Sequence, residues 1–167
     1  MSEKETIFSS SVKYGGIWNF QDFYKFAYDW LVDEFELFLM EKKYVEKLEG
    51  DSKNIDIEWE GIKKVTDYFK FQVKVEFKII ALQNVEVERN GIKEKTNKGS
   101  VKVSVKGVLV RDYQGKFEGN AWQKFLRSIY EKWIIPSRIE EYEEKIAGKC
   151  DEFLAQLKAY LDLEGKK

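Results

Sequence analysis

From Phe69 to Ile79 every second residue is apolar: Phe69, Phe71, Val73, Val75, Phe77 and Ile79. A period of two puts these side chains on one face of an extended strand and the polar residues between them on the other. The pattern recurs at Ile55, Ile57 and Trp59, at Val85 and Val87, and at Val101, Val103, Val105 and Leu109. Such alternation predicts an antiparallel sheet with one buried face and one wet face, because strands buried on both sides read as continuous apolar runs. Trp59 and Phe71 share a face only if the loop between their strands has an odd number of residues, and Lys64–Thr66 fits. Asn90-Gly91 is the strongest two-residue turn signal in the chain, and Asn97-Lys98-Gly99 predicts another turn before the last strand.

Helices flank this β region. Residues 5 to 13 read as a first strand closed by Gly15-Gly16, after which Asn19 predicts an N-cap with Asp22 in the first turn. Continued to Met40, that helix would set Glu34 in an arc of Phe23, Ala27, Trp30 and Phe38, an expensive place for a carboxylate. A stop near Asp33 instead leaves Phe35, Leu37 and Leu39 alternating, which predicts a strand over 36–47. Further on, Trp122, Phe125, Leu126, Ile129, Tyr130 and Trp133 have the spacing of a buried helical stripe that ends at Pro136. Ser137 and Glu140 suggest a capping box, and Ile139, Tyr142, Ile146, Phe153, Leu154, Leu157 and Leu161 line one side of a long last helix. The expectation is a single α+β domain over residues 1–167, with frayed ends at 1–4 and 164–167. Its curved antiparallel sheet has about five or six strands, one charged face and helices packed on the other.

Composition removes several chemistries. The 167 residues include no histidine and one cysteine, Cys150, so a disulfide framework, a histidine-based triad and a histidine pH switch are excluded. Haem and zinc sites lean on the same missing ligands, and no cofactor is expected. Cys150 falls within the apolar stripe of the last helix, as an inert core thiol does. Of 29 cations only Arg89, Arg111, Arg127 and Arg138 are arginine, which argues against nucleic acid, since bidentate recognition favours guanidinium. Residues 89 to 106 do hold six cations against Glu94 alone, but without the interleaved aromatics of a strand-binding platform. No apolar run reaches the roughly 18 residues of a membrane helix, and Met1–Glu5 precede no signal-like segment. A cytoplasmic location is the default expectation.

Two features bear on binding. On the wet face, Asp56, Glu58 and Glu60 are followed by Lys70, Lys74 and Lys78, then by Glu86 and Glu88, then by Lys102 and Lys106. If sequence neighbours are sheet neighbours, each charge meets its opposite and the face neutralises itself; the functional alternative is a docking surface. Between Tyr14 and Tyr44 lie 11 of the 26 aromatic residues, and from Phe20 to Val32 apolar residues span about 240° of a helical wheel. One packing layer covers little more than about 100°. The helix therefore touches two surfaces: the sheet and the last helix, or else a subunit interface or a hydrophobic ligand held near Tyr24 and Tyr28. Tyr24, Tyr28, Trp30 and Trp59 are the candidate contacts, for an apolar small molecule, a protein partner or a second copy of the chain. Asp67-Tyr68 and Asp112-Tyr113 recur at strand ends and read first as turn chemistry. An enzyme built on such carboxylates and tyrosines ranks behind a binding module and behind a structural, self-associating protein.

The order strand, helix, several antiparallel strands and a long last helix resembles the helix-grip arrangement of START-like domains. The resemblance is topological, covers most of the chain and departs from the simplest pattern in the helix from Trp122 to Trp133. It implies a cavity between sheet and long helix that accepts apolar ligands, an inference at fold level only. Ile57-Glu58-Trp59-Glu60 with Val65-Thr66-Asp67-Tyr68-Phe69, and Arg127-Ser128-Ile129-Tyr130-Glu131-Lys132, are similar to small uncharacterised archaeal proteins, a likeness that carries no function.

Overall fold

The computed structural model describes residues 3–114, 119–134 and 136–166. Five strands form one open antiparallel sheet: β1 (Glu3–Trp18), β2 (Phe38–Glu49), β3 (Ser52–Lys64), β4 (Phe69–Arg89) and β5 (Ile92–Arg111), in the order β1-β5-β4-β3-β2. Three helices complete the α+β fold: α1 (Phe20–Asp29), α2 (Ala121–Ile129), which runs on into a π-helical turn over Tyr130–Ile134, and the long α3 (Pro136–Lys166). The stretches expected to fray are partly built into elements, since β1 starts at Glu3 and α3 buries Glu164.

β1 and β2 are consecutive in the chain yet occupy opposite edges, so α1 must carry the chain across the inner face. Four strand spacings of about 4.8 Å make a width of about 19 Å. The ten residues of α1 and the five of the π-helical turn Trp30–Glu34 span about 22 Å at about 1.5 Å each. Asn19 caps α1 by accepting from the Asp22 amide at 2.9 Å. The π turn closes with the Phe35 amide donating to the Trp30 carbonyl at 3.2 Å, and the chain turns into β2 with Glu34 exposed.

The wide aromatic arc of α1 is accounted for by two neighbours. Phe23 meets Trp18 and Phe77 of the sheet edge-on at 5.3 and 6.0 Å, while Phe26 stacks on Tyr160 of α3 at 4.6 Å. α3 lies over β1 and β5, burying Ile146, Cys150, Phe153, Leu154, Leu157 and Leu161. Pro136 is its first residue, where a missing amide costs nothing, so Ser137 lies inside the helix and the expected capping box does not start it.

Two further expectations are corrected. Asn97-Lys98-Gly99 is no turn: these residues are mid-strand in β5, paired to β1 and β4. The tip of that hairpin is Asn90-Gly91, with φ of 54° and 76°, the positive values a tight two-residue turn requires. The β3–β4 ladder closes at Lys64↔Lys70, leaving five residues between, an odd number as the shared face of Trp59 and Phe71 demands but longer than three.

The charged outer face does not neutralise itself throughout. Glu86 and Glu88 extend β4 instead of forming a strand of their own, so β4 and β5 meet directly and their lysines are opposed: Lys74↔Lys106 and Lys78↔Lys102, with Lys13 of β1 on the far side of Lys102. Towards β3 the expected complementarity holds at Asp56↔Lys78 and Glu60↔Lys74, whereas Glu58 faces Glu76.

The largest correction concerns α2. Its stripe, read from the sequence as buried, is exposed: Trp122 at 64%, Phe125 at 53% and Trp133 at 72%, with Leu126 and Ile129 also open. The inner face of the sheet is already covered by α1 and α3, which leaves no apolar surface for a third helix to pack on.

Candidate functional site

The candidate residues do not all converge. Tyr24 and Tyr28 of α1 both stand edge-on against the indole of Trp59, at 5.1 and 5.7 Å. Trp59 is buried in β3 and backed by Phe77 at 4.7 Å. Trp30 points elsewhere, into the contact with α3, where it meets Phe153 at 5.5 Å and lies under the Lys149 ammonium.

The group that joins Tyr24 to Trp59 is Glu41 of β2, which the sequence reading missed. Tyr24 Oη donates to Glu41 Oε1 at 2.7 Å and Trp59 Nε1 donates to the same oxygen at 3.2 Å. Next along the strand, Tyr44 Oη donates to Glu46 Oε1 at 2.7 Å, with Lys53 Nζ 3.5 Å from that oxygen. A bulge brings these residues together. The register slips between Glu41 and Lys43, so Glu41 pairs with Trp59 and Tyr44 with Ile57, both on the inner side. In an unbroken strand residues three apart would face opposite ways; the extra residue re-aims Tyr44 and Glu46 to the side of Glu41. The sequence carries a faint sign of this, since Phe35, Leu37 and Leu39 occupy odd positions whereas Tyr44 and Leu48 occupy even ones.

Burial, and then the hydrogen bond and charge of Glu41, push the Tyr24 phenol up to about 12. Tyr44 is raised for the same reasons, burial first and then Glu46. Both phenols are therefore protonated donors at neutral pH, holding two carboxylates in place. The margin is open: every residue of β2 from Glu41 to Glu49 is exposed, Tyr44 included, and so is Tyr28 of α1. Aromatic rings beside oriented carboxylates make an environment suited to a cation, which the ring faces and the negative charge both attract. Among the described residues no three His, Cys, Asp or Glu side chains are grouped to hold a metal ion. A groove of about 560 Å³ lined by Asn19, Phe20, Lys53, Leu82 and Lys95 is open to solvent at the start of α1 and does not include Glu41.

At the other end of the sheet, Tyr68 Oη donates to Glu131 Oε1 at 2.5 Å, and Tyr113 Oη to the Thr66 carbonyl at 2.7 Å. The recurring Asp-Tyr pairs thus serve to fasten loops and α2. Cys150 is fully buried, and burial pushes its thiol up to about 12, which removes it as a nucleophile.

The fold and site together define an α+β chain with an open acidic and aromatic strand edge. Compared with protein-family models, curated proteins and solved structures, the chain matches none.

Proposed function

We propose that the protein is a binding module for a protein partner, engaging an extended segment that adds to the free edge of β2 and sets a cationic side chain against Glu41. The observation that carries this reading is the conjunction at one edge of a strand exposed from Glu41 to Glu49 and a carboxylate pinned by Tyr24 and Trp59. An unpaired edge offers main-chain donors and acceptors to an incoming strand, and the side chains beside it supply specificity. Glu46 and Tyr44 continue the acidic, aromatic character along the same side. Lys42, Lys43 and Lys47, together with the bulge, discourage pairing with a second identical edge.

The apolar small molecule that the helix-grip likeness would imply has less support, because Trp30, Phe153, Phe23, Phe77 and Leu157 fill the space between sheet and helices.

The test uses short β-prone peptides that differ only at a central lysine, arginine or glutamate, titrated against wild type and Glu41→Gln. The reading expects the cationic peptides to bind about tenfold or more better than the glutamate one, as one charge-assisted contact provides. That preference should vanish in Glu41→Gln, and β2 amides should gain exchange protection on binding. Equal binding of all peptides, or protection elsewhere, overturns it.

A further inference from the structure

Glu46 is a second pinned carboxylate on the edge that carries Glu41, and the bulge of β2 sets the interval between them. Glu41 pairs with Trp59, Tyr44 with Ile57 and Glu46 with Ile55, so all three point to the inner side although their numbers differ in parity. Along β3, Trp59 to Ile55 is an advance of four residues, about 13–14 Å at about 3.4 Å each. Tyr44 stands between the two carboxylates: its hydroxyl donates to Glu46 Oε1 at 2.7 Å, and the charge of Glu41 reaches it as well. In both carboxylates the pinning bonds fall on Oε1, so a ligand can take the other oxygen.

The other side of the strand has the opposite sign. Lys43 pairs with Glu58 and Lys47 with Asn54 on the outer side, and Lys42 borders an outer hollow with Lys74 and Lys106. From Glu41 to Lys47, the charges that β2 itself supplies are negative on the inner side and positive on the outer side. A strand added to this edge alternates its side chains with a period of two. The residues it sets beside Glu41 and Glu46 both face inward only if they are an even number apart, and the span of about 13–14 Å selects four. The residue midway lies beside the exposed ring of Tyr44, and its two neighbours face outward beside Lys43 and Val45. The interval is the same for parallel and antiparallel entry.

We propose, resting on the reading of β2 as a docking edge, that the partner segment carries two cationic side chains four residues apart, with an aromatic or aliphatic residue midway and no cation at the two outward positions between. Glu41 is the stronger of the two contacts, because Lys53 Nζ lies 3.5 Å from Glu46 Oε1 and offsets part of its charge.

The test uses threonine-rich peptides of equal length with a central tyrosine and two lysines placed four, three or two residues apart, beside a peptide with one lysine. Their binding to wild type, Glu46→Gln and Glu41→Gln is followed by fluorescence anisotropy. The four-residue spacing should bind about threefold or more better than every other peptide, the size of one more exposed ion pair. Glu46→Gln should erase that advantage and leave the one-lysine peptide largely unaffected, whereas Glu41→Gln should weaken every lysine peptide. Glutamine at 46 keeps an oxygen for the Tyr44 hydroxyl, and unchanged urea midpoints would show that both variants fold. Equal binding of the three spacings, or an advantage that survives Glu46→Gln, overturns this inference and leaves the edge reading standing. Loss of any preference for lysine, or exchange protection away from β2, overturns both.

Discussion

Gly107→Ala measures how closely α3 is seated on the sheet. Gly107 is buried in β5 between Phe8 and Val73, facing α3. A Cβ there would stand 2.9 Å from Cys150 Sγ, 3.3 Å from Ile146 Cγ1 and 3.4 Å from Phe8 Cβ. Non-bonded heavy atoms settle at about 3.5–4.0 Å, so the new carbon overlaps the sulphur by about 0.6 Å or more. Cys150 and Ile146 are fully buried and cannot swing into solvent, so helix or strand must shift. Overpacking of this kind costs about 1–3 kcal/mol. The φ of Gly107 is not positive, so alanine fits the backbone and recovers about 0.4–1 kcal/mol through the unfolded chain. The net expectation is a loss of about 1–2 kcal/mol. Cys150→Ala alone deletes one buried heavy atom and should cost about 0.5–1.5 kcal/mol. In that background the added methyl enters the vacated space, so Gly107→Ala should become neutral or stabilising. The coupling would then be about 1–2 kcal/mol, well above the roughly 0.3–0.5 kcal/mol within which independent sites add. Urea denaturation of the four proteins, followed by circular dichroism at constant m, measures each term. Simple additivity would refute the close approach of β5 and α3 on which the packing argument rests.

Two other outcomes are expected. Lys102→Glu converts the contacts with Lys13 and Lys78 from like to opposite charge; it should stabilise the fold by about 1 kcal/mol at low salt and by much less at high salt, and a destabilised variant would refute the register-based argument. Alkaline stability should follow the raised groups: Cys150 moves from 9.0 to about 12 on burial and Tyr24 from 10.0 to about 12. Because the folded values lie above the unfolded ones, this contribution is intact below pH 9 and drains away as pH rises towards about 12. Thermal melts across that range, with Cys150→Ala losing part of the slope, provide the measurement.

Much of the architecture follows from local pattern. The alternation from Phe69 to Ile79 determines a sheet with one apolar face, Asn90-Gly91 its longest hairpin, and Asn19 the start of α1, because a strand's period, a two-residue turn and an N-cap are each set within a few residues. Likewise, the misplaced charge of Glu34 in a continued helix is visible as a pattern, and the chain turns there. The candidate site was legible only in part. Tyr24 and Tyr28 belong to an unusual aromatic concentration and Trp59 to the apolar side of an alternating strand, but Glu41 joins Tyr24 and Trp59 through a bulge, which changes which residues share a face and leaves only a slip in parity behind. Tertiary structure alone decided the rest. Lys78 faces Lys102 because β4 and β5 are single long strands, and cross-strand neighbours depend on where a strand ends, which alternation does not encode. The stripe of α2 has the spacing of a core helix, yet whether an apolar face is covered depends on what other surface remains. α1 and α3 had already taken the inner face of the sheet, and the ion pairs of Arg127 and Glu131 turned the stripe outward.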